Sequence, residues 1–198
     1  MKKEPEIPEG YLRVTQVLTP FSKLEGIDPA IVLKAGDRGS RVHSFCEAHA
    51  LGLFIEECDA DCKNYVEVFK KWFDSMVMKV HHTEVRLNSP TFKISGAFDM
   101  IATLKGDTEP TLIDIKTPAT HSQAWALQTA AYQMLADELL KVQVARRICL
   151  MLPKYGDSVK IVEYSDHAND LALYLKALEL YRFFNPNIIR NKSFTVSP

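Results

Sequence analysis

Nearly half of the 198 residues are apolar, enough to bury one substantial core with little to spare, so a single domain over 1–198 is expected. The 24 Lys and Arg against 25 Asp and Glu leave a formal charge of −1, which excludes a nucleic-acid binder of the basic-tail kind and confines any DNA contact to a local patch. Cys46, Cys58, Cys62 and Cys149 are too few for a disulfide scaffold, and no apolar run of signal-peptide or membrane-spanning length is present, so a soluble cytoplasmic protein with no membrane partner is expected.

In chain order, residues 1–10 are rich in Pro and Glu and read as a flexible arm. Val14 to Leu18 suggests a short strand or turn stopped by Pro20, while Asp28 followed by Pro29 has the form of a helix N-cap with proline at the first helical position. Gly36-Asp37-Arg38-Gly39-Ser40 interrupts the helical pattern. That pattern resumes from Ser40 to Leu51, with Val42, Phe45, Cys46 and His49 at its spacing and Gly52 as its stop. A second helix is expected from Asp59 or Asp61 to Val80, along the stripe Tyr65, Val68, Phe69, Trp72, Phe73 and Met76. The period then changes to that of a meander: Thr83 to Leu87, a turn at Asn88-Ser89-Pro90, Phe92 to Leu104, a turn at Gly106-Asp107, and Leu112 to Thr117. Ser122 to Leu140 reads as a helix, and Val144 to Leu152 and Val159 to Tyr164 as strands. A last helix starts at the N-cap Asp166 and stops at Asn185-Pro186, leaving 186–198 as a short polar tail.

The third strand of the meander carries the chemistry. Successive strand side chains alternate between faces, so Asp114 and Lys116 project together while Ile113 and Ile115 anchor the other side. Asp99 closes Gly96-Ala97-Phe98-Asp99 in the preceding strand. A turn near Gly106 makes the two strands antiparallel and sets Asp99 across from Asp114 at about one strand spacing, roughly 5 Å. Two facing carboxylates repel unless a cation joins them, and an oxygen-rich site favours a hard ion such as Mg²⁺ or Mn²⁺.

Gly96-x-x-Asp99, then Asp114-x-Lys116, then Gln128-x-x-x-Tyr132 on the following helix resembles the PD-(D/E)XK nuclease superfamily in its RecB-like exonuclease branch, over about Gly36 to Tyr132. The resemblance implies an α/β, restriction-endonuclease-like αβββαβ core, a central mixed β-sheet flanked by helices, and DNA hydrolysis by a metal-activated water. It implies Asp99 and Asp114 as metal ligands, the backbone carbonyl of Ile115 as a further ligand, and Lys116 as the group that serves the water. His43, in Gly39-Ser40-x-x-His43, would match the branch's extra histidine ligand, and Glu84 the upstream acid of some members. Gln128 and Tyr132 would support the site and contact DNA. Thr-Leu-Ile precedes Asp114, so the Pro-Asp of the superfamily name is not literal here.

Each residue alone has an ordinary explanation. An Asp-x-Lys triplet arises by chance about once in a few hundred residues, His43 could be any satisfied histidine, Gln128 and Tyr132 any helix positions, and Glu84 and Glu47 surface ion pairs. Agreement of order and spacing carries the functional reading. Some RecB-like nucleases hold an iron–sulfur cluster on one cysteine before the motifs and three after. Here three precede and only Cys149 follows, so no cluster is expected, and Cys58-x-x-x-Cys62 reads as a helical pair beside the core. His81-His82 lacks partners for a zinc site. Arg38 and Arg41, beside His43, are the candidate phosphate contacts; Arg146, Arg147, Lys154, Lys160, Arg190 and Lys192 read as solvated faces.

The expected activity is that of an exonuclease acting on DNA ends or single-stranded regions in recombination, repair or replication, of the free-standing phage type that works beside a single-strand annealing protein. A structure-specific or nicking endonuclease on the same fold is the alternative enzyme. A DNA-binding recombination module with a vestigial nuclease site is the alternative outside enzymes, and the complete set of acids and lysine speaks against it.

Overall fold

Three consecutive strand segments, the second and third buried on both faces, build the centre of the protein, whose computed structural model describes residues 6–22, 26–54, 57–118 and 120–186. Strand β1 (Leu12–Arg13) leads into helix α1 (Val14–Leu18) and a single 3₁₀ turn. Helices α2 (Pro29–Ala50) and α3 (Lys63–Met76) precede the meander β2 (Val77–Ser89), β3 (Ile94–Leu104) and β4 (Thr111–Lys116). Helix α4 (Ala124–Leu139) then crosses to β5 (Arg146–Met151), followed by β6 (Lys160–Tyr164) and α5 (His167–Phe184). Strand β3 is antiparallel to β2 and β4 and pairs β1 in parallel. Strand β4 is parallel to β5, and β5 antiparallel to β6. This mixed sheet flanked by helices is the expected α/β, αβββαβ arrangement. Among the described residues no helix is long and apolar enough to cross a membrane.

Alternation along β4 divides the core. Ile113 and Ile115 join Val42, Phe69, Trp72, Ile148 and Leu150 under α2 and α3. Leu112 points the other way, with Phe98, Ile101, Tyr132, Leu135 and Tyr174 under α4 and α5. Asp114 shares the parity of Leu112 and Lys116, so the carboxylate and ammonium face α4 from a strand buried on both sides.

Several expectations are corrected. Val14–Leu18 is helical, not strand or turn: Val14, Val17 and Leu18 are buried together, and their spacing is that of one helical face. Helix α2 runs unbroken through Gly36–Ser40. Asp28 accepts from the Ala30 N–H at 2.8 Å, Pro29 occupies the first position, and neither glycine adopts a positive φ, so the modest propensity cost of two glycines is outweighed over 22 residues. Helix α3 starts at Lys63 because the carboxylates of Asp59 and Asp61 are drawn to the Arg41 guanidinium, at 2.6 and 2.9 Å, instead of capping a helix. It stops at Met76, since Val77 and Val80 pair with Leu104 and Ala102 as strand. Cys62 is the α3 N-cap and Cys58 lies before the helix, so the two are not a helical pair. Residues 6–10 of the proposed arm rest near the end of β2, where Asn88 donates to the Glu6 carbonyl. Residues 1–5, and 187–198 of the tail with Arg190 and Lys192, lie outside the described residues.

Arg147 is not a solvated residue. It is 1% exposed and donates to Asp170 Oδ2 at 2.7 Å, the Ala126 carbonyl at 2.8 Å and Thr129 Oγ1 at 3.3 Å, which ties β5 to α4 and α5. Removing one partner of a buried ion pair leaves the other charge uncompensated, so Asp170→Ala should cost about 3–5 kcal/mol in urea denaturation. Gly36 has no atom within 4 Å of where a methyl would sit. Gly36→Ala should therefore raise stability by about 0.5–1 kcal/mol in the same measurement, as expected for glycine inside a continuous helix.

Candidate functional site

The β3–β4 ladder stops at Met100 paired with Ile113. One step further the same register would set Asp99 opposite Asp114, but the strands part there and the Ile115 N–H donates to Asp99 Oδ2. On the other side of β3, Thr83 pairs with Met100 and Val85 with Phe98, which places Glu84 beside Asp99. Glu84, Asp99 and Asp114 thus sit in one row across three neighbouring strands. Glu84 holds φ at 47°, a left-handed conformation in mid-strand. That costs backbone energy in a non-glycine residue and is the kind of strain found where side-chain aim matters.

Helix α2 brings His43 to this row: Nδ1 lies 2.7 Å from Asp99 Oδ1 and 4.0 Å from Glu84 Oε1. His43, Glu84 and Asp99 each present one ligand atom, all within 4.8 Å of one another. A cleft of about 450 Å³ opens in front of them, lined by Gly36, Gly39, Ser40, His43, Ser44, Glu47 and Glu84.

The electrostatics follow from crowding acids in a buried place. Burial opposes protonation of His43, but the Asp99 carboxylate, aided by Asp114 and Glu84, holds its pKa up at about 9. Burial and the neighbouring Asp99 charge push Glu84 up to about 9. Asp99 is held below its ordinary range: burial works against this, and His43 and the Ile115 N–H overcome it. Burial raises Asp114 against the pull of Lys116. Lys116 stays above its ordinary value despite burial because Asp114 lies beside it.

Lys116 Nζ is 2.5 Å from Asp114 Oδ2 and donates to Gln128 Oε1 at 3.0 Å, while Gln128 Nε2 donates to the Tyr132 hydroxyl at 3.0 Å. Gln128 and Tyr132, one turn apart on α4, thus form a relay behind the lysine. Tyr132 is 4% exposed, so its ring offers no surface on which DNA could rest. Arg41 is engaged by Asp37, Asp59 and Asp61 and ties α2 to the segment before α3; a phosphate would have to compete with three carboxylates for it. Arg38 lies with its guanidinium 5.6 Å from the centre of the Tyr65 ring. Asp59, Asp61 and Cys62 also bring ligand atoms together, but Arg41 donates to both carboxylates and to the Cys62 sulfur.

Sequence reasoning missed three supporting residues. Trp125, one turn before Gln128, places its ring 5.4 Å from Lys116 Nζ, a cation–π contact. The Cys149 thiol donates to Asp114 Oδ2 at 3.8 Å, a contact that depends on the parallel pairing of β4 with β5. Gly96 is where Tyr132 comes close to β3: a methyl at 96 would stand 2.7 Å from Leu135 Cδ1 and 2.9 Å from Tyr132 Cε1. Trp125 stands at helical spacing from Gln128, a signal that could have singled it out, and the glycine three residues before Asp99 was visible without its reason.

A sequence model of the PD-(D/E)XK nuclease superfamily matches residues 21–190, and the chain belongs to that superfamily. No curated protein matches it. Among solved structures, a presumptive exonuclease from Eubacterium rectale is similar at a TM-score of 0.54 and 14% identity, over 92% of this chain and 81% of that one. LHK-Exo, solved in complex with dAMP, is similar at a TM-score of 0.41 and 14% identity, over 90% of this chain and 93% of its own. At such identities the Eubacterium rectale structure speaks for the fold, which is the restriction-endonuclease-like fold of the superfamily.

The seat under Tyr132 gives a direct test. Gly96→Ala should destabilise the protein by about 1–3 kcal/mol, the usual cost of overpacking. Urea denaturation would show it as a shift opposite in sign to that of Gly36→Ala.

Proposed function

We propose that this nuclease is a divalent-metal-dependent DNA exonuclease of the RecB-like branch, acting on DNA ends or single-stranded regions in recombination, repair or replication. The observation that carries the reading is the convergence of His43, Glu84 and Asp99 within 4.8 Å, one strand from the Asp114–Lys116 pair. The donor set fits a hard divalent ion: one imidazole and three carboxylates lie together, and the strained backbone of Glu84 stands within that row. Such an ion would be held by His43, Glu84, Asp99 and Asp114, with the Ile115 carbonyl as a further ligand, and Mg²⁺ or Mn²⁺ is the expected choice. The chemistry it supplies when bound is Lewis-acid polarisation of a phosphate and acidification of a water.

The chain's own residues do the rest. Lys116, anchored by Gln128 and the Trp125 ring, presents an ammonium where charge develops on phosphate oxygens and where an attacking water must be oriented. Burial of Asp99 and Asp114 keeps bulk water from screening these interactions. The small residues on the cleft side of α2 leave room for a sugar-phosphate backbone to approach His43 closely. The order of motifs and the presumed activity of the Eubacterium rectale protein support an exonuclease over an endonuclease. By analogy an exonuclease of this kind works in the cytoplasm beside a single-strand annealing protein.

Labelled linear DNA incubated with Mg²⁺ or Mn²⁺ should be degraded, and both EDTA and Asp114→Ala should abolish the activity. Lys116→Ala should lower turnover by about a hundredfold or more while calorimetric metal affinity persists. Cleavage that survives both EDTA and Asp114→Ala overturns the proposal, and cleavage of closed circles moves it to an endonuclease.

A further inference from the structure

Beyond the carboxylates, the segment between β4 and α4 carries an exposed histidine that none of this chemistry uses. His121 Nε2 lies 2.9 Å from the Tyr164 hydroxyl. The two ring centres are 6.3 Å apart and the planes 29° from parallel. A hydrogen bond joining the tips of two rings at that separation holds them as neighbours at a shallow angle, so together they form one aromatic shelf.

The shelf has a buried back. Trp125 meets His121 at 5.4 Å and 83°, and the Arg147 guanidinium lies 5.9 Å from the centre of the Tyr164 ring. Trp125 is 8% and Arg147 1% exposed, so the sides they contact face inward, while His121 is exposed and Tyr164 half-buried. The solvent-accessible part of the pair is carried by exposed His121 and by the uncovered part of Tyr164. Arg147 is itself locked by Asp170, which makes the backing rigid. Lys116 Nζ also lies 5.4 Å from the centre of the Trp125 ring, so one indole touches both the shelf and the lysine.

A rigid aromatic surface whose polar tips already satisfy each other is poor at reading base edges and well suited to the π-face that every base presents. We propose that His121 and Tyr164 form a base-stacking subsite for the substrate strand, holding a nucleobase while a neighbouring phosphate lies at Lys116. A base inside a duplex has both faces covered by its neighbours, so the subsite takes an unpaired nucleotide or one at an open end, and not an internal base pair. This rests on the nuclease reading and adds to it the class of substrate: a single strand or the frayed end of a duplex.

The test is fluorescence anisotropy with a short fluorescein-labelled oligothymidylate in EDTA, which keeps the probe intact, using the full chain. His121→Ala should weaken binding about tenfold, and His121→Phe should restore it. An oligomer of the same length with abasic sites throughout should bind the wild-type protein and His121→Ala alike. In cleavage assays with Mg²⁺, His121→Ala should raise KM and leave kcat nearly unchanged. Unaltered binding by His121→Ala, an equal loss on the abasic oligomer, or no rescue by phenylalanine overturns the subsite. Absence of metal-dependent cleavage by the wild-type protein overturns the nuclease reading instead, and the two failures are read from separate experiments.

Discussion

One carboxylate is held from two directions, and the site takes its form from that. Asp99 accepts the Ile115 N–H with one oxygen and faces His43 with the other. The first bond exists because the ladder between β3 and β4 stops at Met100 and Ile113, so a side chain takes over a donor that a strand carbonyl would otherwise have received. The parting of the strands and the fixing of the acid are therefore one event. The second bond docks α2, and with it the cleft, against the sheet.

Around that acid the protein places charge that burial alone would not permit. Asp114 and Lys116 compensate each other from one face of β4, and Gln128, Trp125 and Cys149 fill the remaining directions around them. Each of these is set in turn by something behind it: Gln128 by Tyr132, and Tyr132 by the bare backbone of Gly96. A reactive group held by several packed neighbours keeps its geometry within the narrow tolerance that chemistry needs.

Much of this was legible in the sequence because it depends on local rules. Period-two alternation placed Asp114 and Lys116 on one face, and the turn near Gly106 set Asp99 against them. The N-caps Asp28 and Asp166 appear where their spacing put them. What could not be read depended on distant partners or on a balance of weak preferences. The continuity of α2 turned on caps outweighing two glycines. Arg41 stands near His43 in sequence, yet Asp59 and Asp61, 18 and 20 residues on, claim its guanidinium. Burial of Arg147 required Asp170 from another helix, and the approach of Cys149 to Asp114 required knowing that β4 and β5 run in parallel.

The order of these pieces along the chain also bears on how the protein comes together. Glu84, Asp99, Asp114 and Lys116 all belong to one meander of short-range antiparallel pairings, whereas His43 reaches Asp99 across a separation of 56 residues. Local contacts form at low loop-closure cost and distant ones at a higher cost. The meander gathers its acids with Lys116 as a local counter-charge to Asp114, and docking of α2 brings His43 to Asp99. The helix that shapes the cleft is in this sense also the element that relieves the sheet's own repulsion.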